Sequence, residues 1–103
     1  MTTETQMSMK EKSLWRVLAT FSFEGVTIPE YMHGGLVRYF FYHIDPGSFL
    51  RAVLENDLMG AFGQADEENM HRMPAYAAFL YSTAPPGSYG SPEAVKAWLE
   101  ELA

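Results

Sequence analysis

The sequence predicts an all-α protein, a compact bundle of four to six short helices. Apolar residues recur at steps of three and four in several segments, which is the spacing of one helix face. Helix-start signals, in which a capping residue precedes proline or acidic residues, also recur along the chain. Glycine and proline keep each of these segments short. A chain of 103 residues is expected to form one domain around one modest core.

The N-terminal region is the least regular part of the pattern. Residues 1–12 are polar or charged and show no apolar period, so we expect a disordered leader followed by a single helical domain over residues 13–103. In the next segment, Leu14, Val17 and Phe21 have helical spacing, whereas alternate residues up to Phe23 fit a strand. We favour a helix here, with a short N-terminal strand as the alternative.

The next helix is predicted over residues 29–42. Thr27 and Glu30 have the spacing of a capping box, and Pro29 suits a first helical turn. Gly34 and Gly35 lower the helix propensity of this segment. We interpret the glycine pair as the site of a close helix crossing.

A third helix is predicted to begin with Asp45 as its cap and Pro46 in its first position. A wide apolar stripe follows and is typical of an inward-facing helix. Its members are Phe49, Leu50, Val53, Leu54 and Leu58. Asn56 and Asp57 either extend this helix or cap a short fourth one.

Asp66, Glu67 and Glu68 place a cap and two carboxylates where a helix start favours negative charge. The helix that follows runs toward Tyr81, with Leu80 and Tyr81 available for the core. Pro74 removes a backbone donor, so we predict a kink or split near Met73.

The end of the chain contains a loop and a last helix. Residues 83–90 are rich in proline and glycine and predict an exposed loop. Ser91, Pro92 and Glu93 then restart a helix in the order cap, proline, acid.

Composition excludes several classes of function. The chain has 13 acidic and 7 basic residues, a net charge of −6, which disfavours binding to nucleic acid or to an anionic membrane. Cysteine is absent, which excludes disulfides and thiolate metal sites. No apolar run reaches the length of a membrane helix. We expect a cytoplasmic protein whose electrostatic complement is a protein with a basic surface, although negative charge also serves solubility.

Candidate catalytic and metal-binding residues form no recognisable set. The three histidines, His33, His43 and His71, lack the short fixed spacing of a metal site. Ser48 and Ser91 lie at predicted helix starts, where hydroxyls cap backbone donors. We therefore predict no enzyme activity, no cofactor and no metal.

An acidic cluster is the first predicted partner-binding feature. Its members are Glu55, Asp57, Asp66, Glu67 and Glu68, and no Lys or Arg lies between Arg51 and Arg72. Such a surface would dock on a basic protein site. A solvated face with favourable helix-dipole contacts is the alternative.

Surplus aromatic residues are the second predicted feature. Phe40, Phe41 and Tyr42 are consecutive and point in three directions from a helix, so at least one is expected to be exposed. We predict that Tyr42, and Tyr89 in the 83–90 loop, contact a partner, because exposed aromatic residues often anchor interfaces. Burial in a crowded core or in a homodimer would also explain them.

Residues 28–100 carry a series of short motifs. They are Ile28-Pro29-Glu30-Tyr31-Met32, Pro46-Gly47-Ser48-Phe49-Leu50, Ala52-Val53-Leu54, Asn56-Asp57-Leu58, Ala65-Asp66 with Asn69, Phe79-Leu80-Tyr81, Ala84-Pro85, and Gly90-Ser91-Pro92-Glu93 with Trp98. This pattern resembles a family of small accessory proteins encoded by tailed bacteriophages and prophages. Ser88 and Tyr89 depart from it, since relatives often carry Cys-Trp there.

The resemblance implies a phage or mobile-element origin and carries over no catalytic residues. Small acidic phage proteins often act stoichiometrically on host machinery, including as anti-defence inhibitors. We therefore expect a non-enzymatic protein that binds a bacterial host protein, for which a CRISPR complex is one example. A self-associating structural or regulatory module is the alternative.

Overall fold

The helices of the computed structural model, which describes residues 8–101, pack around a single core. In order, the elements are α1 (Met9–Thr20), a 3-10 turn (Glu30–Met32), α2 (His33–Tyr42), α3 (Ser48–Leu54), α4 (Leu58–Gln64), α5 (Glu67–Met70), α6 (Met73–Thr83) and α7 (Pro92–Glu100). The all-α prediction is confirmed. None of these helices combines the length and apolarity needed to cross a membrane.

Helix α1 begins earlier than the sequence predicted. The Ser8 hydroxyl accepts a hydrogen bond from the Glu11 N–H at 3.0 Å, so residues 9–12, assigned to the leader, form its first turn. Glu11 is buried and its carboxylate accepts a hydrogen bond from the Tyr42 hydroxyl at 2.6 Å. This contact with α2 could not be read from local sequence. Residues 1–7 lie outside the described part of the chain.

The choice of a helix for the segment after residue 13 is confirmed, because α1 continues to Thr20. Strand-like pairing in the described residues is confined to one isolated bridge, in which Phe23 and Val26 exchange backbone hydrogen bonds. That bridge closes a turn through Gly25, whose φ of 81° suits glycine.

The predicted capping box is wrong. The Thr27 hydroxyl accepts a hydrogen bond from the Arg72 guanidinium at 3.0 Å instead of capping a helix. Residues 30–32 form only a 3-10 turn, and α2 begins at His33. The side chain that competes for Thr27 is 45 residues away in sequence, so spacing alone could not reveal it.

Helix α3 also begins later than predicted. The Asp45 carboxylate accepts a hydrogen bond from the Gly47 N–H at 2.9 Å, which closes a local turn rather than a helix cap. Gly47 has a φ of 97°, a conformation that favours glycine, and the helix begins at Ser48.

The predicted helix starts at Asp66 and Ser91 are confirmed, and of the two alternatives for Asp57 the structure shows the cap of a short separate helix. Asp57, Asp66 and Ser91 each accept a hydrogen bond from the backbone N–H three residues later, at 2.9, 2.7 and 3.0 Å. The predicted split at Pro74 is confirmed as well, because α5 ends at Met70 and α6 begins at Met73. The split adds a single-turn helix to the bundle.

Tyr39 of α2 lies at the centre of the core and is fully buried. Its hydroxyl donates to the Ser88 carbonyl at 2.7 Å, and its own carbonyl accepts from the Trp98 indole N–H at 2.8 Å. The Gly90 N–H donates to the Leu54 carbonyl at 2.7 Å. The 83–90 loop, predicted to be exposed, is therefore fastened to α2 and α3 at its C-terminal end, and Ser88 is buried.

Candidate functional site

The five predicted acidic residues lie at two corners of the fold rather than in one continuous segment. Glu55 and Asp57 flank the turn between α3 and α4. At the corner between α4 and α5, Asp66 caps α5, and Glu67 and Glu68 are the first two residues of that helix. The seven residues of α4 separate the two corners by roughly 10 Å of helical rise.

At the first corner both carboxylates have structural partners. Glu55 accepts a hydrogen bond from the Arg51 guanidinium at 3.0 Å, and Asp45 binds the same guanidinium at 2.7 Å. The hydrogen bond from the Gly47 N–H is the main cause that lowers the pKa of Asp45, and Arg51 lowers it further. Asp57 caps α4 through the Gly60 N–H. Its side chain is exposed, so its charge remains available to solvent.

At the second corner Asp66 has two partners. One carboxylate oxygen accepts from the Asn69 N–H, and the other accepts from the Tyr31 hydroxyl at 2.6 Å. The Tyr31 hydrogen bond is the main cause that lowers the pKa of Asp66. The same bond raises the pKa of Tyr31 to about 12. Asp66 therefore fastens the 3-10 turn to α5.

Glu67 and Glu68 differ although they are adjacent. Glu68 forms an ion pair with Arg72 at 2.9 Å, one helical turn later, and Arg72 also donates to the Thr27 carbonyl at 2.9 Å. Glu67 is exposed and has no ion pair among residues 8–101. At this corner, Glu67 therefore carries a negative charge that is exposed to solvent and is not neutralised by an ion pair among residues 8–101.

A buried polar network lies beneath the second corner, and sequence reasoning missed it. The Tyr76 hydroxyl donates to the Asn69 side-chain oxygen at 2.5 Å, and the Asn69 amide donates to the Tyr31 hydroxyl at 3.4 Å. Asn69 is only 3% exposed. Asn69 follows acidic residues in a predicted helix start, and nothing in that sequence context predicts that its side chain is buried. The network joins α5, which contains Asn69, to α6, which contains Tyr76. It therefore stabilises the junction of these two helices, called here the α5–α6 corner.

The two predicted aromatic residues lie in different places. Tyr42 is 47% exposed, but its hydroxyl binds Glu11, which raises the pKa of Tyr42. Tyr89 is half-buried and lines a groove on another face of the molecule. Only Tyr89 and Asp57 among the predicted residues line this groove.

The groove lies between α4 and α6 and has a volume of about 480 Å³. Its wall is mainly aliphatic. Lining residues include Val53, Leu58, Ala61, Met73, Ala77 and Leu80. This volume is within the ordinary range of ligand-binding clefts.

Exposed apolar side chains continue from the groove onto the surface of α4 and the end of α6. They are Leu58 at 69%, Met59 at 80%, Phe62 at 53% and Tyr81 at 88% exposure. Neither α4 nor α6 contains a charged residue. Leu58 and Tyr81 line the groove itself, and exposed apolar side chains grouped in this way usually mark an interaction site.

This surface corrects two sequence assignments. Leu58 was placed in the inward stripe of the third helix and Tyr81 in the core. Because Asp57 starts a new helix, Leu58 does not continue the inward-facing side of α3 and is exposed. Pro74 restarts α6 in the same way, and Tyr81 projects from its outer face.

The histidines have structural roles where the structure shows contacts. The His33 ring donates from Nε2 to the Ile28 carbonyl at 2.9 Å, and the His43 ring donates from Nδ1 to the Trp98 carbonyl at 2.7 Å. Each of these nitrogens carries a proton, because a carbonyl oxygen can only accept. Within residues 8–101, no group of three or more potential metal-ligating side chains is found.

Comparison of the chain with family models, curated proteins and solved structures finds no match. The resemblance to phage-encoded accessory proteins therefore rests on sequence motifs alone.

Proposed function

We propose that this protein is a non-enzymatic binding protein of phage or mobile-element origin that acts stoichiometrically on a bacterial host protein. The observation that carries this proposal is the apolar surface formed by the groove and the exposed side chains of α4. Anti-defence inhibition of the anti-CRISPR type, in the host cytoplasm, is the role that the family resemblance implies. A binding role requires no nucleophile, base or metal.

Charge supports a partner with a basic surface. No Lys or Arg occurs between Arg51 and Arg72, and both of these arginines are engaged by carboxylates. Asp57 and Glu67 carry exposed charge at the two ends of α4. Apolar anchors flanked by two free carboxylates favour a basic partner and speed its association.

The proposal is tested by affinity capture from a bacterial host lysate with matched variants. Phe62→Ala combined with Tyr81→Ala removes exposed apolar area beside the groove. Ile44→Ala removes exposed apolar area at the connection between α2 and α3 and is the control. A specific host protein should be captured by the wild type and by Ile44→Ala, and lost with the double variant. Equal capture by all three proteins would contradict the proposal.

Self-association is the second candidate function, because the same exposed apolar side chains could pair two copies. Light scattering distinguishes the two candidates. A mass near 11.6 kDa, unchanged on concentration, contradicts a homodimer. A doubled mass that Phe62→Ala with Tyr81→Ala returns to the monomer value would favour self-association.

A further inference from the structure

We infer that the groove between α4 and α6 binds one face of a basic amphipathic helix supplied by the partner. This inference rests on the proposed function and names the kind of segment that the surface recognises. It follows from the shape of the groove, from the secondary structure around it and from the distribution of charge.

The size of the groove fits several side chains from one helix face. An apolar cavity of about 150 Å³ is enough for a benzene ring, so about 480 Å³ has room for roughly three side chains of that size. A bound helix presents apolar residues at steps of three, four and seven along one face. Three such anchors would occupy the groove.

The walls favour a helix over an extended segment. An extended peptide binds by adding a strand to an exposed sheet edge, and residues 8–101 contain only the isolated Phe23–Val26 bridge. Proline-rich segments prefer grooves lined by aromatic residues. Here Tyr81 and Tyr89 are the aromatic lining residues, and the rest of the apolar wall is aliphatic, alanine, proline or methionine. Met73 adds an adaptable surface.

The charges around the groove indicate that the bound helix is basic. Asp57 is the charged residue in the groove lining, and both helices that form the walls are uncharged. Arg51 and Arg72, the nearest cations in sequence on either side, are held by Glu55 and Glu68. A lysine or arginine beside the apolar anchors would therefore meet a carboxylate and no competing free cation from residues 52–71.

Tyr81 adds a second contact for a cation. It is the most exposed of the aromatic residues beside the groove, and its ring face is available to a lysine or arginine side chain. A cation over a tyrosine ring gains about 0.5–1 kcal/mol at an exposed site. The groove thus combines apolar anchors, a carboxylate and an aromatic ring within one surface.

The test uses the full chain and three labelled synthetic peptides of about 18 residues, long enough to form a helix on binding. The first has leucine on one helical face and lysine elsewhere. The second has the same composition with leucine distributed around the helix, and the third has glutamate in place of lysine. Fluorescence anisotropy should show binding of the first peptide and at least tenfold weaker binding of the other two.

Two protein variants locate the binding. Ala77→Leu fills the groove from an exposed position on α6 and should lower the affinity for the first peptide at least tenfold. Asp57→Asn keeps a side chain that caps helices well but removes the charge, so it should weaken binding several-fold and reduce the dependence on salt. Circular dichroism checks that both variants keep the wild-type helix content.

Several outcomes would overturn the inference. Equal binding of the amphipathic and redistributed peptides would show that only charge is recognised, and unchanged binding to Ala77→Leu would place the peptide elsewhere. A wild-type homodimer that Ala77→Leu dissociates would assign the groove to a second copy. If no peptide binds while host capture still depends on Phe62 and Tyr81, the proposed function stands and the helical ligand is wrong.

Discussion

Tyr76 and Asn69 form the buried polar contact on which the α5–α6 corner depends. Replacing Tyr76 with phenylalanine removes the donor to the Asn69 oxygen and leaves a buried acceptor without a partner. We expect Tyr76→Phe to lower the free energy of unfolding by about 1–3 kcal/mol, measured by urea denaturation. Tyr81→Phe changes the same group at an exposed position and should have no effect. Equal stability of the two variants would contradict the role of this contact.

Tyr31 and Tyr39 are expected to make the stability of the fold depend on pH in the alkaline range. The hydrogen bond to Asp66 raises the pKa of Tyr31 to about 12, and burial raises the pKa of Tyr39 to about 12. The folded state therefore holds these protons more tightly than the unfolded state, where tyrosine has a pKa near 10. The resulting stability is complete below about pH 10 and is lost as the pH rises toward 12.

Urea midpoints measured between about pH 9 and pH 11.5 test this dependence. We expect the midpoint to fall across this interval, and to fall less steeply in Tyr31→Phe, which lacks one of the tyrosine protons that the folded state holds more tightly. Tyr81→Phe is the control and should follow the wild type. A wild-type midpoint that stays constant across the interval would show that the tyrosine protons are not linked to folding.

Whether a helix cap could be predicted from the sequence depended on where in the chain the side chain's hydrogen-bond partner lies. Asp57, Asp66 and Ser91 cap helices through a donor three residues away, so local spacing was sufficient. Thr27 failed because its hydroxyl binds Arg72, which only the folded chain brings near. Asp45 failed because a nearer donor, the Gly47 N–H, captures its carboxylate.

At the scale of elements, the two adjacent glycines of α2 are predicted to behave differently. A methyl group on Gly35 would lie 3.2 Å from the Leu50 Cδ1 atom of α3, whereas on Gly34 it would meet only the flexible end of the Arg38 side chain. Alanine favours a helix over glycine by about 0.5–1 kcal/mol. We expect Gly34→Ala to raise the melting temperature and Gly35→Ala to raise it less or lower it.

The two variants serve as controls for each other, because they make the same chemical change in the same helical turn. Calorimetry of each protein would give the difference directly. If Gly35→Ala proved as stabilising as Gly34→Ala, the approach of α2 to α3 would be looser than the structure shows.

The apolar face of α4 and α6 shows why half of the candidate site escaped sequence prediction. Leu58 and Tyr81 were assigned inward because their spacing matches neighbouring apolar residues, and a docking surface and a core face share the same periodicity. What separates them is the direction of each helix after Asp57 and after Pro74. Asp57 and Tyr89 were identified from charge and loop position, and the groove itself is visible only in the folded chain.

At the scale of the whole molecule, the acidic residues fall into two groups. Some are neutralised by ion pairs within the fold, and others keep a free charge. Arg51 and Arg72 neutralise Glu55 and Glu68, while Glu67 has no ion pair among the described residues. Reversing Glu68 would also place a lysine beside Arg72 and weaken the α5–α6 corner. Glu67 is therefore a position at which electrostatic attraction can be changed without breaking an ion pair among residues 8–101.

We predict that Glu67→Lys slows association with the basic amphipathic peptide several-fold at low salt, because like charge then faces the approaching cations. Stopped-flow fluorescence at two ionic strengths measures the rate. The difference should shrink in 1 M salt, where the screening length falls to about 3 Å. Glu100→Lys, at the end of α7, alters the net charge equally and should slow association much less. If both variants slow it to the same extent, net charge rather than the carboxylate beside α4 governs the encounter.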